Sequence, residues 1–431
     1  MHIEEIYKIY RQYPSIQTDS RKLQKDNLFF ALKGPSFNGN HFAEQAIEKG
    51  AAFVFVDEKI SFSHHCIIHT EDVLSTLQQL ARFHRLQFND ESGKSKIPFI
   101  AITGSNGKTT TKELLHEVLS STYKTYTTQG NLNNHIGIPL TILKIKDDAE
   151  MAIIEMGANH LKEIAGYCEY AIPTHGLITN RGKAHLEGFG SIENVKKGKG
   201  ELFDYLRNNN GIAFVNADDP DVVELSNGIT NTILYGGNGN NIKGKIINSD
   251  PFLEISIEGL KPLDIKTHLV GTYNFSNVLA AVCVGSYFKV EDDKIKEAIE
   301  NYSPSNSRSQ LIKQGSNTIV LDAYNANPSS MKAAIENFAA LKGDKKILML
   351  GAMMELGDET KSEHEAIISI IDKYRWDAVI LVGIGFRNTS NTYNHYENVM
   401  QAKEWLQHHH PENAYILIKG SRSMQMEKVL E

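Results

Sequence analysis

The sequence has few cysteines, and none of them is spaced for a disulfide framework or a zinc–thiolate site. Its 431 residues include three cysteines, Cys66, Cys168 and Cys283, with no CxxC pair. Such sparse and odd-numbered usage is typical of a reducing compartment. It favours three structural thiols rather than a metal or redox centre.

The chain also lacks a long apolar run and an excess of basic residues. No run approaches the roughly 18 apolar residues that span a bilayer. The N-terminal MHIEEIYKIYRQYP has neither the basic start nor the apolar stretch of a secretory signal. Lys plus Arg number 45 and Asp plus Glu number 52, which gives a formal charge of −7. We therefore expect a cytoplasmic protein that neither inserts into membranes nor binds nucleic acid.

The length and composition indicate a folded chain of several domains. Hydrophobic residues make up 41% and charged residues 23% of the 431 positions, and this length suggests roughly two to four domains. The polar stretches NDESGKSKIP at 89–98 and NYSPSNSRS at 301–309 have the composition of domain boundaries. We predict three domains, with bounds 1–90, 91–305 and 306–431.

Short apolar runs alternate with segments of helical periodicity along most of the chain. The first block has predicted strands at 28–32 and 51–56 around a helix at 41–49, which ends before Gly50. The other predicted strands lie at 98–104, 151–157, 174–180, 211–216, 318–324, 345–351, 376–383 and 414–420. Helices are predicted near 329–342, 360–373 and 398–409. This alternation predicts an α/β fold with mostly parallel sheets and a Rossmann-like C-terminal domain.

The sharpest local signal is AITGSNGKTTTKE at 101–113, where an apolar strand is followed by a glycine-containing turn and a helix. Glycines let the backbone approach phosphate oxygens, and the amides of a helix N-terminus point at the anion. A lysine at this place reaches the β- and γ-phosphates, and a following threonine hydroxyl binds Mg²⁺. The candidate nucleotide-binding residues are Gly104, Ser105, Asn106, Gly107, Lys108, Thr109 and Thr110.

This loop departs from the usual GxxxxGK[ST] pattern. Position 102 is isoleucine, so the first glycine of that pattern is absent and the loop reads GxxGKTT from Gly104. The strand–loop–helix context makes a chance glycine-rich turn a poor explanation. The loop specifies a nucleoside triphosphate but no particular reaction.

Several segments resemble one protein family. The short GxxGKT form is typical of Mur ligases and folylpolyglutamate synthases. The segments that narrow the resemblance to Mur ligases are TDSRKLQKDNLFFALKGPSFNGNHF at 18–42, NLNNHIGIPLTIL at 131–143, EMGANHLKEI at 155–164, ITNRGKAHLEGFGS at 178–191, DAYNANPSSMKAA at 322–334, LGAMMELG at 350–357 and KGSRSM at 419–424. The resemblance covers all three blocks, and YNANP and AHLEGFGS are its most specific parts.

The resemblance implies an activity and its substrates. It implies a monomeric, ATP-dependent ligase that adds D-alanyl-D-alanine to UDP-N-acetylmuramoyl-tripeptide in peptidoglycan precursor synthesis. An acyl-phosphate would form on the way, with ADP and phosphate as products. The first domain would bind the uridine nucleotide and the central domain ATP. Whether the third residue of the peptide is lysine or a diaminopimelate stays open.

The resemblance also implies the metal-binding and catalytic residues. Glu155 is expected to bind Mg²⁺ together with Thr109, in keeping with the preference of Mg²⁺ for oxygen. His185 is expected to bind a second Mg²⁺, although imidazole is an unusual ligand for this ion. Lys199 is expected to carry a carbamate. A KKGK run alone suits a solvated helix face, and its other lysines, Lys196 and Lys197, are alternatives. The expected catalytic residues are Lys108, His185 and Lys199.

Further residues are assigned to the nucleotide by the same resemblance. Asn274 is expected to contact adenine, although Tyr273 stands before it where relatives usually have histidine. Asn277 is expected to support the turn into the following helix. Arg308 and Asp322 are expected to close over the nucleotide as part of a hinged third domain.

The substrate contacts are the least specific expectations. Ser20, Arg21, Asn38 and His41 are candidates for the uridine nucleotide, Asn133 and Asn134 for the muramoyl or peptide portion, and Asn325 and Asn327 for the dipeptide. Asparagine is also a common turn residue, so each has a structural alternative. No residue stands out as the base for the incoming amine.

Two other functions compete with this interpretation. One is a Mur ligase that adds a single amino acid to UDP-muramoyl-dipeptide, because the nucleotide motifs are shared. The other is a nucleotide-binding switch, which would hydrolyse ATP slowly and without regard to any amine. The hypothesis of a nucleotide-binding switch assigns no role to His185 or Lys199.

Overall fold

The computed structural model describes residues 1–258, 263–305 and 307–431. The chain divides into two compact units. The first comprises Met1–Ala101, Tyr123–Gly157 and Glu163–His175, and the second comprises Ile102–Thr122, Ala158–Lys162 and Gly176–Glu431. Asn306, where the third predicted domain begins, lies outside the described residues. In the described ranges, no helix has the length and apolar character needed to cross a bilayer.

Helices and strands alternate along both units. The helices are α1 Ile3–Gln12, α2 Ala43–Glu48, α3 Val73–Leu86, α4 Lys108–Ser120, α5 Gly137–Ile142, α6 Glu163–Ala171, α7 Leu186–Phe189, α8 Ile192–Asn208, α9 Pro220–Leu225, α10 Phe275–Tyr287, α11 Asp292–Asn301, α12 Pro328–Ala340, α13 Thr360–Ile371, α14 Ile384–Arg387 and α15 Val399–His409. The strands are β1 Ile16–Gln17, β2 Leu28–Phe30, β3 Lys33–Gly34, β4 Phe37–Asn38, β5 Phe53–Val56, β6 Ile67–His69, β7 Phe99–Thr103, β8 Thr125–Thr127, β9 Met151–Glu155, β10 His175–Ile178, β11 Ile212–Asn216, β12 Asn231–Gly236, β13 Ile242–Asn248, β14 Glu254–Glu258, β15 Leu263–Lys266, β16 Gln310–Gln314, β17 Asn317–Asp322, β18 Lys346–Gly351, β19 Ala378–Val382, β20 Asn394–Tyr396 and β21 Tyr415–Lys419.

The first unit contains a parallel sheet in the order β1–β2–β5–β6. All three residues of β2 are buried, as expected for a strand covered on both faces. Helix α3 begins after Asp72, whose side chain accepts a hydrogen bond from the Ser75 amide and so satisfies one of the unpaired amides of the first turn. Strands β8 and β9 also pair in parallel in this unit.

The second unit contains a mixed sheet and a Rossmann-like sheet. The mixed sheet runs in the order β15–β14–β13–β12–β11–β10. Strand β14 is antiparallel to both of its neighbours, β13 and β15. The Rossmann-like sheet has the order β16–β17–β21–β18–β19–β20, in which only β16 is antiparallel to its neighbour. Its core includes Ile319, Ile347, Ile380 and Ile416.

The fold class predicted from the sequence is confirmed: the chain is α/β with mostly parallel sheets. Each predicted apolar run contains a strand, and the three predicted C-terminal helices are α12, α13 and α15. The strands that were not predicted are β1, β3, β4, β6, β8, β12–β16 and β20. The division into three domains stays a prediction.

Candidate functional site

The phosphate-binding loop predicted at 104–110 joins the end of β7 to the start of α4. Thr103 is the last residue of β7, and Lys108 is the first residue of α4. Gly107 lies directly before the helix in the left-handed region, with φ of +79°. Only glycine adopts this conformation without strain. The loop therefore ends on amides at the helix N-terminus, which is a favourable place for an anion.

Both loop glycines are required by close contacts as well as by backbone angle. A Cβ on Gly104, which has φ of +140°, would lie 2.0 Å from the Thr179 Oγ1. A Cβ on Gly107 would lie 2.5 Å from the Asn277 Oδ1. Thr179 directly follows β10, and Asn277 lies in α10. The space around the loop is therefore limited by residues of the second unit that are far away in the chain.

Hydrogen bonds fix the loop backbone further. The Thr179 hydroxyl donates to the Asn106 carbonyl at 2.6 Å, and the Asn180 carbonyl accepts from the Ser105 amide at 3.1 Å. The Lys108 Nζ donates to the Gly104 carbonyl at 2.7 Å and to the Ser105 carbonyl at 3.2 Å. The lysine ammonium thus lies directly at the loop.

The two threonines after Lys108 differ in exposure. Thr109 is buried, whereas Thr110 is partly exposed. The next residue, Thr111, donates from its hydroxyl to the Asn277 Oδ1 at 3.1 Å. Asn277, which was expected to support the turn into its helix, thus also contacts α4.

In the first unit, Glu155 ends β9 and is 1% exposed. Its carboxylate accepts a hydrogen bond from the Asn133 Nδ2 at 2.7 Å. Its own amide donates to the Thr128 hydroxyl at 3.0 Å. Asn134 instead accepts from the amides of Ile136 and Gly137 at the start of α5, which is the local role expected of a turn asparagine. Asn133 is thus the asparagine of this pair that hydrogen bonds to the candidate metal ligand in the described part of the chain.

His185 and Lys199 lie in the second unit. His185 directly precedes α7, and Lys199 is part of α8. His185 precedes α7 with a left-handed φ of +53°, and its Nδ1 hydrogen bonds to the Glu355 carboxylate. The imidazole beside Glu355 holds the pKa of that carboxyl below its usual range. Lys199 is 0% exposed. Its Nζ donates to the Ala158 carbonyl at 2.9 Å and lies 5.2 Å from the centre of the Phe189 ring.

The neighbouring lysines have different surroundings. Lys196 pairs with Asp221 at 3.0 Å and Glu224 at 2.7 Å, and Lys197 is exposed. Lys199 is thus the fully buried lysine of this run.

Asn274 is 3% exposed and is held by the start of α10. Its Nδ2 donates to the Val270 carbonyl at 2.9 Å, and its Oδ1 accepts from the Asn277 Nδ2 at 2.9 Å. Tyr273, which stands where histidine was expected, hydrogen bonds with the Ser309 hydroxyl at 2.7 Å. Burial raises the pKa of Tyr273, so its hydroxyl keeps its proton at neutral pH.

Arg308 and Asp322 lie close to Ser309 and Tyr324 in the second unit. The Arg308 guanidinium stacks 3.7 Å from the centre of the Tyr324 ring and lies 3.9 Å from a Glu113 oxygen on α4. Asp322 accepts from the Lys419 Nζ at 2.5 Å and from the Ser309 amide at 3.1 Å. Backbone φ angles of +57° at Ser307 and +49° at Ser309 flank the arginine.

The weaker substrate candidates are dispersed. Ser20 and Arg21 lie on a short 3₁₀ helix, where Arg21 pairs with Asp19. Asn38 donates from Nδ2 to Glu58 at 2.7 Å, and His41 is exposed. In the second unit Asn325 is exposed, whereas Asn327 lies directly before α12 and caps it.

Sequence reasoning missed the residues that hold the loop from a distance. Thr179 and Asn180 hydrogen bond to Asn106, more than 70 residues away in the chain. Glu355 was within the segment LGAMMELG, which carried the resemblance, but had been given no role. A pattern of residues that vary together across homologues is the signal that identifies such pairs.

Three family models match successive parts of the chain. They are the catalytic domain of the Mur ligase family at residues 12–93, the Mur ligase middle domain at 102–285 and the Mur ligase glutamate ligase domain at 307–422. The chain is 34% identical over 430 residues to the UDP-N-acetylmuramoyl-tripeptide–D-alanyl-D-alanine ligase of Bacillus subtilis (strain 168), with 96% of this chain and 92% of that protein covered.

Solved structures agree with these matches. A crystal structure of MurF from Acinetobacter baumannii has a TM-score of 0.86 at 28% identity, covering 96% of this chain and 92% of that one. The MurF ligase from Thermotoga maritima in complex with ADP has a TM-score of 0.84 at 26% identity, covering 96% of each chain.

Proposed function

This chain belongs to the Mur ligase family, and we propose that it joins UDP-N-acetylmuramoyl-tripeptide to D-alanyl-D-alanine through an acyl-phosphate. It is an ATP-dependent ligase of peptidoglycan precursor synthesis. The observation that carries the substrate assignment is the 34% identity to a ligase of this name across 96% of the chain.

The reaction requires that a carboxylate become an electrophile. An oxygen of the tripeptide carboxylate attacks the γ-phosphorus of ATP, the bond to the β-phosphate oxygen breaks, and ADP leaves. The amine of D-alanyl-D-alanine then attacks the acyl carbon, and the tetrahedral intermediate expels phosphate. We assign Lys108 and the first amides of α4 to the phosphate oxygens, because the first step brings two anions together.

The chain's own residues fit Mg²⁺ in their donor chemistry. The candidates are the Thr109 hydroxyl, the Glu155 carboxylate, the His185 imidazole and a carbamate on Lys199, three of which offer the oxygen that Mg²⁺ prefers. When bound, the metal screens the negative charge of the phosphates. We propose two such ions. The burial of Glu155, at 1% exposed, supports a role that needs a shielded carboxylate.

A carbamate on Lys199 would turn a cationic side chain into an anionic one. The neutral amine adds to the carbon of CO₂ and releases a proton, which leaves an oxygen-bearing group on the long side chain. The complete burial of Lys199 supports this assignment, because burial favours the neutral amine. The exposed Lys197 has no such environment.

We place the remaining residues on three domains, 1–90, 91–305 and 306–431. Ser20, Arg21, Asn38 and His41 would contact the uridine nucleotide, Asn133 and Asn134 the muramoyl peptide, and Asn325 and Asn327 the dipeptide. Asn274 would contact adenine. Arg308 and Asp322 would close over the nucleotide, and closure would exclude water from the acyl-phosphate. Compaction in solution scattering with an ATP analogue and substrate tests this closure, and an unchanged radius of gyration contradicts it.

We further propose a cytoplasmic monomer, since ATP and nucleotide-linked precursors are cytoplasmic metabolites. A single species of the mass of one chain in light scattering is the expected result. A stable dimer would contradict it.

Phosphate release by the purified full-length chain tests the proposed activity. UDP-N-acetylmuramoyl-tripeptide, D-alanyl-D-alanine, ATP and Mg²⁺ together are expected to release phosphate, and omission of either peptide is expected to abolish it. Turnover only with UDP-muramoyl-dipeptide and a single amino acid would identify a different Mur ligase. Slow hydrolysis that no amine affects would identify a nucleotide switch.

A further inference from the structure

His185 and Glu355 are 170 positions apart in the chain and meet directly in the second unit. The His185 Nδ1 hydrogen bonds to the Glu355 Oε2. Both residues have left-handed backbones, with φ of +53° at His185 and +61° at Glu355. Non-glycine residues adopt this region only with steric strain. Such strain persists only where the surrounding structure imposes it.

Backbone and side-chain contacts hold the two segments together. The Glu187 amide donates to the Glu355 carbonyl at 3.1 Å. On the other side of His185, the Lys183 amide donates to the Ser329 hydroxyl at 2.8 Å. The Lys183 Nζ pairs with the Glu363 carboxylate, itself nearly buried, at 2.8 Å. The segment 183–187 is therefore anchored on both sides of the histidine by residues of 329–363.

The bond between His185 and Glu355 determines the tautomer of the imidazole. A carboxylate only accepts hydrogen bonds, so the proton of the neutral ring lies on Nδ1. Nε2 then carries the lone pair that a metal ion binds. A carboxylate on the opposite nitrogen is the usual way in which proteins orient a metal-binding histidine and raise its basicity.

We propose that Glu355 is the positioning residue of His185: it fixes the ring and its tautomer, and it makes the metal site depend on contact with residues 329–363. This inference rests on the proposed function, in which His185 binds Mg²⁺. A merely structural contact would serve the fold without affecting metal affinity. The two roles therefore predict different results when the carboxylate is removed.

The variants Glu355→Gln and Glu355→Gly separate these roles. Glutamine retains an oxygen acceptor but loses the charge, and glycine removes the side chain while relieving the left-handed backbone. Because glycine favours the native φ, Glu355→Gly is expected to fold even if other substitutions do not. Glu365→Gln is the matched control, since Glu365 is exposed on α13 and pairs only with Lys361 at 3.8 Å in the described structure.

Mn²⁺ bound with a non-hydrolysable ATP analogue provides a readout that does not depend on turnover. In the unsubstituted chain, electron spin echo spectroscopy is expected to show nitrogen coupling from a histidine. Both Glu355 variants are expected to lose or weaken this coupling. Their half-activating Mg²⁺ concentration should rise by about ten- to one-hundredfold, with the smaller rise for glutamine. Glu365→Gln should match the unsubstituted chain in both measurements.

Two results would overturn the inference. One is the absence of nitrogen coupling in the unsubstituted chain. The other is unchanged coupling and unchanged Mg²⁺ activation in both folded Glu355 variants. Failure of the proposed function is distinguishable, because the unsubstituted chain would then release no phosphate with the tripeptide nucleotide and D-alanyl-D-alanine.

Discussion

The Asn327 Nδ2 donates to the Asn106 Oδ1 at 2.8 Å, which connects the start of α12 to the phosphate-binding loop. The same Asn327 side chain caps α12 by accepting from the Ser330 amide. One residue thus stabilises a helix with its oxygen and contacts the loop with its nitrogen. These two functions are separable by substitution.

Asn327→Ser is expected to retain the helix cap and to lose the bond to Asn106. Serine is nearly as good a cap as asparagine, so stability should hardly change, whereas alanine should cost about 1 kcal/mol. Both variants should show a raised KM for ATP, because the loop loses the same contact. Urea unfolding and ATP-dependent phosphate release provide the two measurements. An unchanged KM in Asn327→Ser would contradict the role of this bond.

Gly107→Ala is expected to abolish or strongly weaken ATP binding. The added Cβ would lie 2.5 Å from the Asn277 Oδ1, at a position with φ of +79°. Gly93→Ala is the matched control, because Gly93 has φ of +82° and nothing within 4 Å of its added Cβ. Both variants incur about 1–2 kcal/mol of backbone strain, but only Gly107→Ala should impair binding of a fluorescent ATP analogue. Equal affinity in the two variants would contradict the described loop.

Lys199→Ala is expected to lower kcat by about 100- to 1,000-fold, the usual effect of removing a preorganised charged group. Short carboxylic acids should partly restore turnover, since they place an oxygen anion where the carbamate would lie. Lys197→Ala should retain activity, because Lys197 is exposed on the same helix. Full activity of a folded Lys199→Ala variant would contradict the proposal that Lys199 carries a carbamate.

The chain is expected to lose stability on acidification below about pH 6.5. Burial lowers the pKa of His84, His116, His175 and His364, and that of His175 falls from 6.5 to about 4. At a pH between the ordinary histidine pKa and the lowered pKa of the native chain, the unfolded chain binds protons that the native chain does not, so protonation favours unfolding. The urea midpoint should fall as pH decreases from 7 to 5.

The variant His84→Gln tests one of these histidines. The His84 Nε2 donates to the Ile145 carbonyl at 2.7 Å, and its Nδ1 accepts from the Tyr7 hydroxyl at 3.1 Å. Glutamine has a donor and an acceptor but does not titrate, so the decline with pH should become shallower. A midpoint that rises on acidification would contradict the assignment.

The sequence alone was sufficient to predict the strands that form clear apolar runs, such as β9 and β18, but not the short parallel strands β1, β6 and β8. Strand β14, with sequence EISIE, alternates in burial rather than being buried throughout. The sequence signal for β14 is therefore an alternation of apolar and polar residues over only five positions, which is too short to identify a strand. The edge strand β20 contains Asn394 and His395, and its pairing depends on β19 rather than on its own composition.

The sequence shows that site residues lie close together only where they are contiguous. Residues 104–110 follow one another in the chain, from the end of β7 into the first turn of α4. The partners of Gly104 and Gly107 are Thr179 and Asn277, and only the folded chain places them there. The same is true of Glu355, whose importance depends on its contact with His185.

The acyl-phosphate is the central claim, and isotope transfer tests it most directly. UDP-N-acetylmuramoyl-tripeptide labelled with ¹⁸O in its terminal carboxylate is incubated with ATP, Mg²⁺, D-alanyl-D-alanine and the full chain. If the carboxylate attacks the γ-phosphorus, each phosphate released should carry one labelled oxygen, detected by mass spectrometry. Unlabelled phosphate alongside formation of the amide would contradict the proposed mechanism.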